Sequence, residues 1–314
     1  MKREAEKIEM RSGRWLGQGS KRARALVAAA LGLAGFAAVR SADAYCRTTT
    51  CPQCDYDEKG CPTGQPIYWP SSCVTFAMQY RGSKQVDLAT ATRVMDDAFA
   101  VWQETACPDG APPAIHVDRR FGDAACDLHE YNQTDANANI VTFRDDRWPY
   151  EASSNVLALT TVTYSRKTGA IFDVDMEINS TQRISVGDPV PSTSYDLQSI
   201  VTHEAGHFLG MAHTDDRMAT MYPQYTSGTQ SFRSLGVDDQ AGICAVYPSA
   251  QAAKCDYSPR QGFSPECGIF PSGNGGKCAV ASRGPAEPEG SAGHLAGFGA
   301  LIALVALSFT RRRA

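Results

Sequence analysis

Apolar and acidic side chains alternate from Ala170 to Asn179: Phe172, Val174, Met176 and Ile178 share one face, and Asp173, Asp175 and Glu177 the other. A period of two predicts a strand with one buried face. The other face, with three carboxylates, reads as a solvated acidic surface or as an oxygen-rich site for Ca2+. Asp87 to Thr105 has a different rhythm. Leu88, Val94, Met95, Ala98, Phe99 and Trp102 recur mostly at spacings of three and four, which predicts a helix packed through Phe99 and Trp102. A second helical stripe, Leu197, Ile200, Val201, Ala205 and Phe208, predicts a helix over Asp196 to Leu209, with Ser194 or Thr193 available as caps.

Between these lie further short strands: Cys73 to Tyr80, Ala114 to Val117, Asn139 to Phe143 and Leu157 to Tyr164. Arg144 to Tyr150 and the mostly polar Thr226 to Ser234 are loops, and Val237 to Val246 is a closing helix. Strands and helices mix without repeats. The expected fold class is α+β, one domain over residues 67–250, long enough for a full core.

The two ends follow another pattern. Lys21, Arg22 and Arg24 precede an apolar run from Ala25 to Val39, and Ala42-Asp43-Ala44 supplies small residues for cleavage. Residues 1–44 therefore read as a secretory signal peptide, with Met10 as a candidate start. Leu295 to Phe309 is a second apolar run, followed by Arg311, Arg312 and Arg313. Each run is shorter than the ~20 residues of a membrane span. Residues 284–293 read as a linker after a Cys-containing stretch, 251–283. Residues 294–314 read as a C-terminal anchor or a sorting tail, similar to those of secreted bacterial proteins, that would attach the chain to a membrane or cell envelope.

Charge and cysteine content sharpen this. Residues 45–293 carry 18 basic and 30 acidic side chains, a net of −12, which argues against a nucleic-acid partner. All 11 cysteines lie in the same stretch and predict a disulfide framework in an oxidising compartment. Five of them, Cys46, Cys51, Cys54, Cys61 and Cys73, crowd the start, where residues 45–66 form a Cys-rich leader. Cys107 with Cys126 is the pair expected first. Cys51-Pro-Gln-Cys54 could be a redox or metal motif but lacks the context of either.

The chemistry concentrates in His203-Glu204-Ala205-Gly206-His207-Phe208-Leu209-Gly210-Met211-Ala212-His213. His203 and His207 are four apart and share one helical face, so they can grip one metal ion. Glu204 can reach a water at that metal. A continuing helix would carry His213 about 240° round from His207. Gly210 can adopt a positive φ, end the helix and return His213 to the metal. Three imidazoles leave a fourth position for water, the arrangement of a catalytic zinc. A bare H-E-x-x-H also occurs on solvated helices. Asp238 and Asp239, on the closing helix, could in principle replace His213 as the third ligand.

This string resembles that of the metzincin zinc endopeptidases. Thr214 directly after the third histidine, and Ala219-Thr220-Met221-Tyr222-Pro223-Gln224-Tyr225 a few residues on, resemble the matrixin branch, as does Leu235 to Tyr247 with Asp238 and Asp239. The resemblance spans residues 67–248. It implies a twisted, mostly parallel sheet, an active-site helix and a small lower subdomain. It also implies one catalytic Zn2+ held by His203, His207 and His213, with Glu204 as general base and Met221 in a turn beneath the metal. Pro223 and Tyr225 would wall a substrate pocket, with Leu157, Ala158, Leu159 and Thr160 as an edge strand along the substrate. Calcium is a family property that the acidic strand could share. The family's His-rich structural-zinc loop is absent: His116, His129 and His294 are scattered.

The expected function is a secreted or surface-attached zinc endopeptidase, monomeric, acting on protein or peptide substrates. A non-catalytic adhesion or binding protein on the same scaffold is the alternative. The family's P-R-C-G pro-segment has no match here, and an odd cysteine in the leader could block the metal instead.

Overall fold

The computed structural model describes residues 45–266, apart from 52–54, 59, 128, 130, 151–155, 252 and 253. The signal peptide, linker and C-terminal tail read from the sequence lie outside the described residues, as does Cys54. No helix among the described residues is long and apolar enough to cross a membrane.

Eleven elements follow in the order β1 (Cys73–Thr75), β2 (Ala77–Met78), α1 (Leu88–Gln103), β3 (His116–Asp118), β4 (Ile140–Phe143), β5 (Ala158–Tyr164), β6 (Ile171–Ile178), β7 (Ile184–Ser185), β8 (Tyr195–Asp196), α2 (Leu197–Phe208) and α3 (Val237–Val246). The main sheet has the order β2-β4-β6-β5. Its first three strands are parallel and β5 is antiparallel at the edge. The expected strand over Cys73 to Tyr80 is divided at Phe76: β1 pairs with β3, whereas β2 joins the main sheet. The small β7–β8 pair had no sequence signal.

Helix α1 starts where Asp87 accepts from the Thr90 amide at 2.9 Å, a cap that contributes ~1 kcal/mol. Its apolar stripe packs on α2. Phe99 meets Phe208 edge-on at 5.0 Å, and the Trp102 indole donates to the Thr202 carbonyl at 2.7 Å. Trp102 is fully buried. The two helices thus fix the depth and rotation of α2 against the sheet.

The alternating strand behaves differently from its pattern. β6 is an interior strand of the sheet, and Asp173, Asp175 and Glu177 are as buried as their apolar neighbours. Their face is covered by loops carrying Ala124, Ala138 and Phe263, which form a small second core with Ala77 and Ile140. Asp175 accepts from the Ile140 amide at 2.9 Å, and Glu177 pairs with Arg144 at 2.6 Å and takes the Tyr150 hydroxyl. These acids are therefore internal connectors between loops and sheet, and the solvated face expected from alternation does not exist.

Disulfides complete the domain. Cys107 bonds Cys244, not Cys126, and so ties the end of α1 to α3 across 137 residues. Cys73 bonds Cys255, and Cys46 bonds Cys61. Cys51 and Cys126 are also disulfide-bonded. Among the described leader cysteines none is a free thiol, so none of these can serve as a metal-blocking ligand.

Candidate metal and active site

The N-terminus of α2 is capped by Asp196, not by Ser194 or Thr193. Its carboxylate accepts from the Ser199 amide at 2.9 Å and the Ser199 hydroxyl at 2.8 Å. Arg233 clasps the same carboxylate through Nε at 2.8 Å and Nη2 at 2.6 Å. This fork-to-carboxylate pair fixes the loop after the third histidine to the start of the helix.

The helix then presents His203, Glu204 and His207 to one cleft. It ends at Phe208, and Gly210 adopts φ +92°. A Cβ at Gly210 would also lie 3.0 Å from the Ile67 carbonyl, so glycine serves both the turn and the close approach. The Met211 amide bonds back to the Gly206 carbonyl at 2.9 Å. The chain reverses, and His213 returns to the helix face. Its Nε2 lies 3.1 Å from Nε2 of both His203 and His207.

The rings are oriented from behind. Nδ1 of His203 faces the Thr220 carbonyl at 2.6 Å and Nδ1 of His207 faces the Met211 carbonyl at 2.9 Å. A carbonyl only accepts, so both Nδ1 atoms donate, which leaves both Nε2 atoms pointing to the common centre. Burial, with neighbouring His207 as the second cause, lowers His203 to about 3 and His213 to about 2. Neutral imidazoles with converging lone pairs are the donor set that zinc requires. Among the described residues, these three histidines are the only group of three or more ligating side chains that converge. Asp173, Asp175 and Glu177 form no such group.

Beneath them lies the turn containing Met221. Both oxygens of the buried Asp239 carboxylate hold it: Oδ2 accepts from the Thr220 amide at 2.6 Å and Oδ1 from the Met221 amide at 3.0 Å. Oδ2 also accepts from Gly236 at 2.8 Å, which caps α3. Asp239 thus supports the turn and is not in the converging ligand group. Met221 itself is buried against α2 at Gly206, where a Cβ would come within 2.2 Å of its sulfur. Glycine at 206 is what lets the turn rise this close to the three histidines.

Glu204 sits beside the histidines with its Oε2 taking the Thr160 hydroxyl at 2.5 Å. Burial raises its carboxyl above the ordinary range, while His207 and this hydrogen bond act the other way. The sequence reading placed Thr160 only along the substrate; its bond to Glu204, 44 residues away, carries no sequence signal.

A cleft of about 530 Å³ opens over these groups. Leu157, Ala158, Leu159 and Thr160 line one side, and Tyr222, Pro223, Tyr225 and Phe232 the other. Tyr225 packs on Phe232 at 5.2 Å, and Phe232 stacks on His203 at 6.0 Å. Phe232 came from a stretch read only as a polar loop. Trp148 and Tyr150, also read as loop residues, reach the cleft too.

An active-site helix broken by glycine, a third histidine on the returning chain and a methionine turn beneath define a metzincin-type domain. The sequence model of the matrixins, peptidase family M10, matches residues 68–248, and the chain belongs to that family. It is 26% identical over 203 residues to metalloendoproteinase 4-MMP of Arabidopsis thaliana, covering 62% of this chain and 56% of that protein. It is 28% identical over 200 residues to human neutrophil collagenase, covering 62% of this chain and 37% of the relative. Human matrilysin is 31% identical over 102 residues, 32% of this chain and 35% of its own length. The chain therefore spans about half or less of the length of these relatives.

Proposed function

We propose that this chain is a secreted or surface-attached zinc endopeptidase. The observation that carries the proposal is the convergence of three imidazole Nε2 atoms next to a buried, hydrogen-bonded glutamate in an open cleft. A zinc ion held by His203, His207 and His213 would supply Lewis acidity toward a water and the scissile carbonyl. Glu204 takes the proton of the attacking water and delivers it to the leaving amine. The Thr160 hydroxyl aims the Glu204 carboxylate at that water. The free edge of β5 pairs with the substrate backbone, laid antiparallel, through Leu157 to Thr160. Pro223 and Tyr225, backed by Phe232, wall the pocket for a side chain after the cleaved bond. Met221 packs under the ligands and touches no substrate.

Export is supported by the disulfides that close the domain, which persist in oxidising compartments. Residues 294–314 are proposed as the envelope attachment. The chain as purified should hold about one zinc and hydrolyse unfolded casein or peptides. A chelator should abolish turnover, and added zinc should restore it. A folded preparation that holds no zinc, or that holds zinc without turnover, refutes the proposal.

A further inference from the structure

Residues 45–66 lie before the region that the family match covers. The structure lays this leader against the cleft. The Ala212 amide donates to the Cys46 carbonyl at 2.9 Å, and the Thr48 amide to the Gly210 carbonyl at 3.0 Å. The Thr48 hydroxyl adds a bond to the Met211 carbonyl at 3.0 Å. The leader therefore runs antiparallel to the turn that delivers His213. It then doubles back. The Thr50 amide bonds the Gln65 carbonyl at 2.8 Å, and the Ile67 amide bonds the Thr48 carbonyl at 2.9 Å. Cys46–Cys61 staples the folded segment, and Tyr56 faces Pro62 across an antiparallel bridge.

Its position along the cleft is defined. Gln65 Nε2 reaches the Thr168 carbonyl at 2.9 Å, and the Tyr68 amide reaches the Gly169 carbonyl at 3.0 Å. Both acceptors lie in the turn after Tyr164, so the leader stands at the C-terminal end of β5. Thr48, Thr49, Tyr56 and Pro62 line the cleft there, together with Tyr164 and Ala212. Residues opposed across an antiparallel bridge point to one face, so the Tyr56 and Pro62 rings form one surface. Tyr56 is 60% exposed, a large apolar side chain spent on solvent unless something covers it.

We propose that the stapled leader is a wall of the substrate cleft for residues N-terminal to the cleaved bond, and that Tyr56 and Pro62 select apolar or aromatic side chains there. The inference rests on the peptidase reading. A peptide added antiparallel to β5 has its N-terminal part at the Tyr164 end. That part meets two rings, two threonines and an alanine, a surface that rewards apolar area. The staple fixes the wall before substrate arrives, which lowers the ordering cost of binding.

The test uses the zinc-loaded full chain and two sets of peptides. One varies residues two to four before the cleaved bond between Phe or Leu and Ser; the other varies residues after it. Tyr56→Ala should cut the Phe-over-Ser ratio of kcat/KM before the bond by about 5-fold, the size expected for one aromatic contact. Tyr56→Phe should keep the ratio, and ratios after the bond should not move. Unchanged ratios in Tyr56→Ala, or a change only after the bond, overturn the inference while leaving the peptidase reading intact. Absence of chelator-sensitive hydrolysis by the unaltered chain sinks both.

Discussion

The Thr220 carbonyl receives Nδ1–H of His203 at 2.6 Å, and the Thr220 amide is itself held by Asp239 at 2.6 Å. Thr220 thus links a buried carboxylate on α3 to a candidate metal ligand on α2, and the Met221 amide, in the same peptide group as that carbonyl, is held by Asp239 as well at 3.0 Å. Asp239→Asn should expose the relay. The carboxylate accepts from three amides, and an asparagine presents one acceptor oxygen and an NH2 that faces an N–H. The turn loosens and His203 loses its fixed orientation. Zinc affinity should fall about 10- to 100-fold, as for other groups that orient ligands. Competition with a chromophoric chelator measures it; equal affinities would show that the relay does not hold the ligand.

Glu204→Ala should separate metal binding from turnover. Glu204 neighbours His203 and His207 in space but contributes no atom to the converging trio. Zinc content should stay near that of the unaltered chain while hydrolysis falls toward the upper end of the ~10²–10⁴ range for a general base. His207→Ala should lose both. Near-normal turnover in zinc-loaded Glu204→Ala would mean that another group takes the proton.

Thr160→Val tests the hydroxyl on Glu204. Burial raises this carboxyl, and the Thr160 bond partly offsets the rise. Removing the donor should raise it further, so Glu204 stays protonated to a higher pH. The acidic limb of kcat/KM should move to higher pH, with about a 10-fold loss on that limb, one unit of displacement being tenfold. A limb that does not move would assign Thr160 to substrate contact alone.

The site was legible because its signals are local. Gly210 and His213 declare a broken helix within eleven residues, and α1 and α2 show their buried stripes within a few turns. What the sequence left hidden depends on distant covers. Asp173 and Asp175 alternate with apolar residues as surface acids do, yet irregular loops around Ala138 and Phe263, which have no periodicity, bury them. The partner of Cys107 lies 137 residues away on α3, where nothing in the spacing favours it over Cys126. The bridge of Tyr56 to Pro62 depends on a fold of the leader that composition alone cannot show.

The buried pair on β6 predicts an unusual pH dependence of stability. Burial is the main cause that lifts both acids: Asp173 rises to about 7, and Asp175 well above its ordinary value. Asp175, as the protonated member, donates to Asp173, and it accepts from the Ile140 amide through Oδ1. The surroundings supply little compensation. Asn139 is turned to the Thr75 carbonyl and the Val174 amide, Arg260 lies over the Phe172 ring, and Glu177 adds a like charge. An unfolded aspartate ionises near ~3.9. From about pH 4 upward the folded chain therefore binds more protons than the unfolded one, as far as about pH 7 through Asp173 and through the raised range of Asp175, and stability is full below that window and falls as pH rises through it. Asp175→Asn keeps the acceptor for Ile140 and a donor for Asp173 without a proton to lose. It should remove the share of the decline that Asp175 carries, leave that of Asp173, and gain on the order of 1–3 kcal/mol over the unaltered chain at pH 8. Urea unfolding of both, with disulfides intact, at pH 5 and pH 8 reads the difference. Parallel pH profiles for the two proteins would show that Asp175 does not carry the proton in the folded chain.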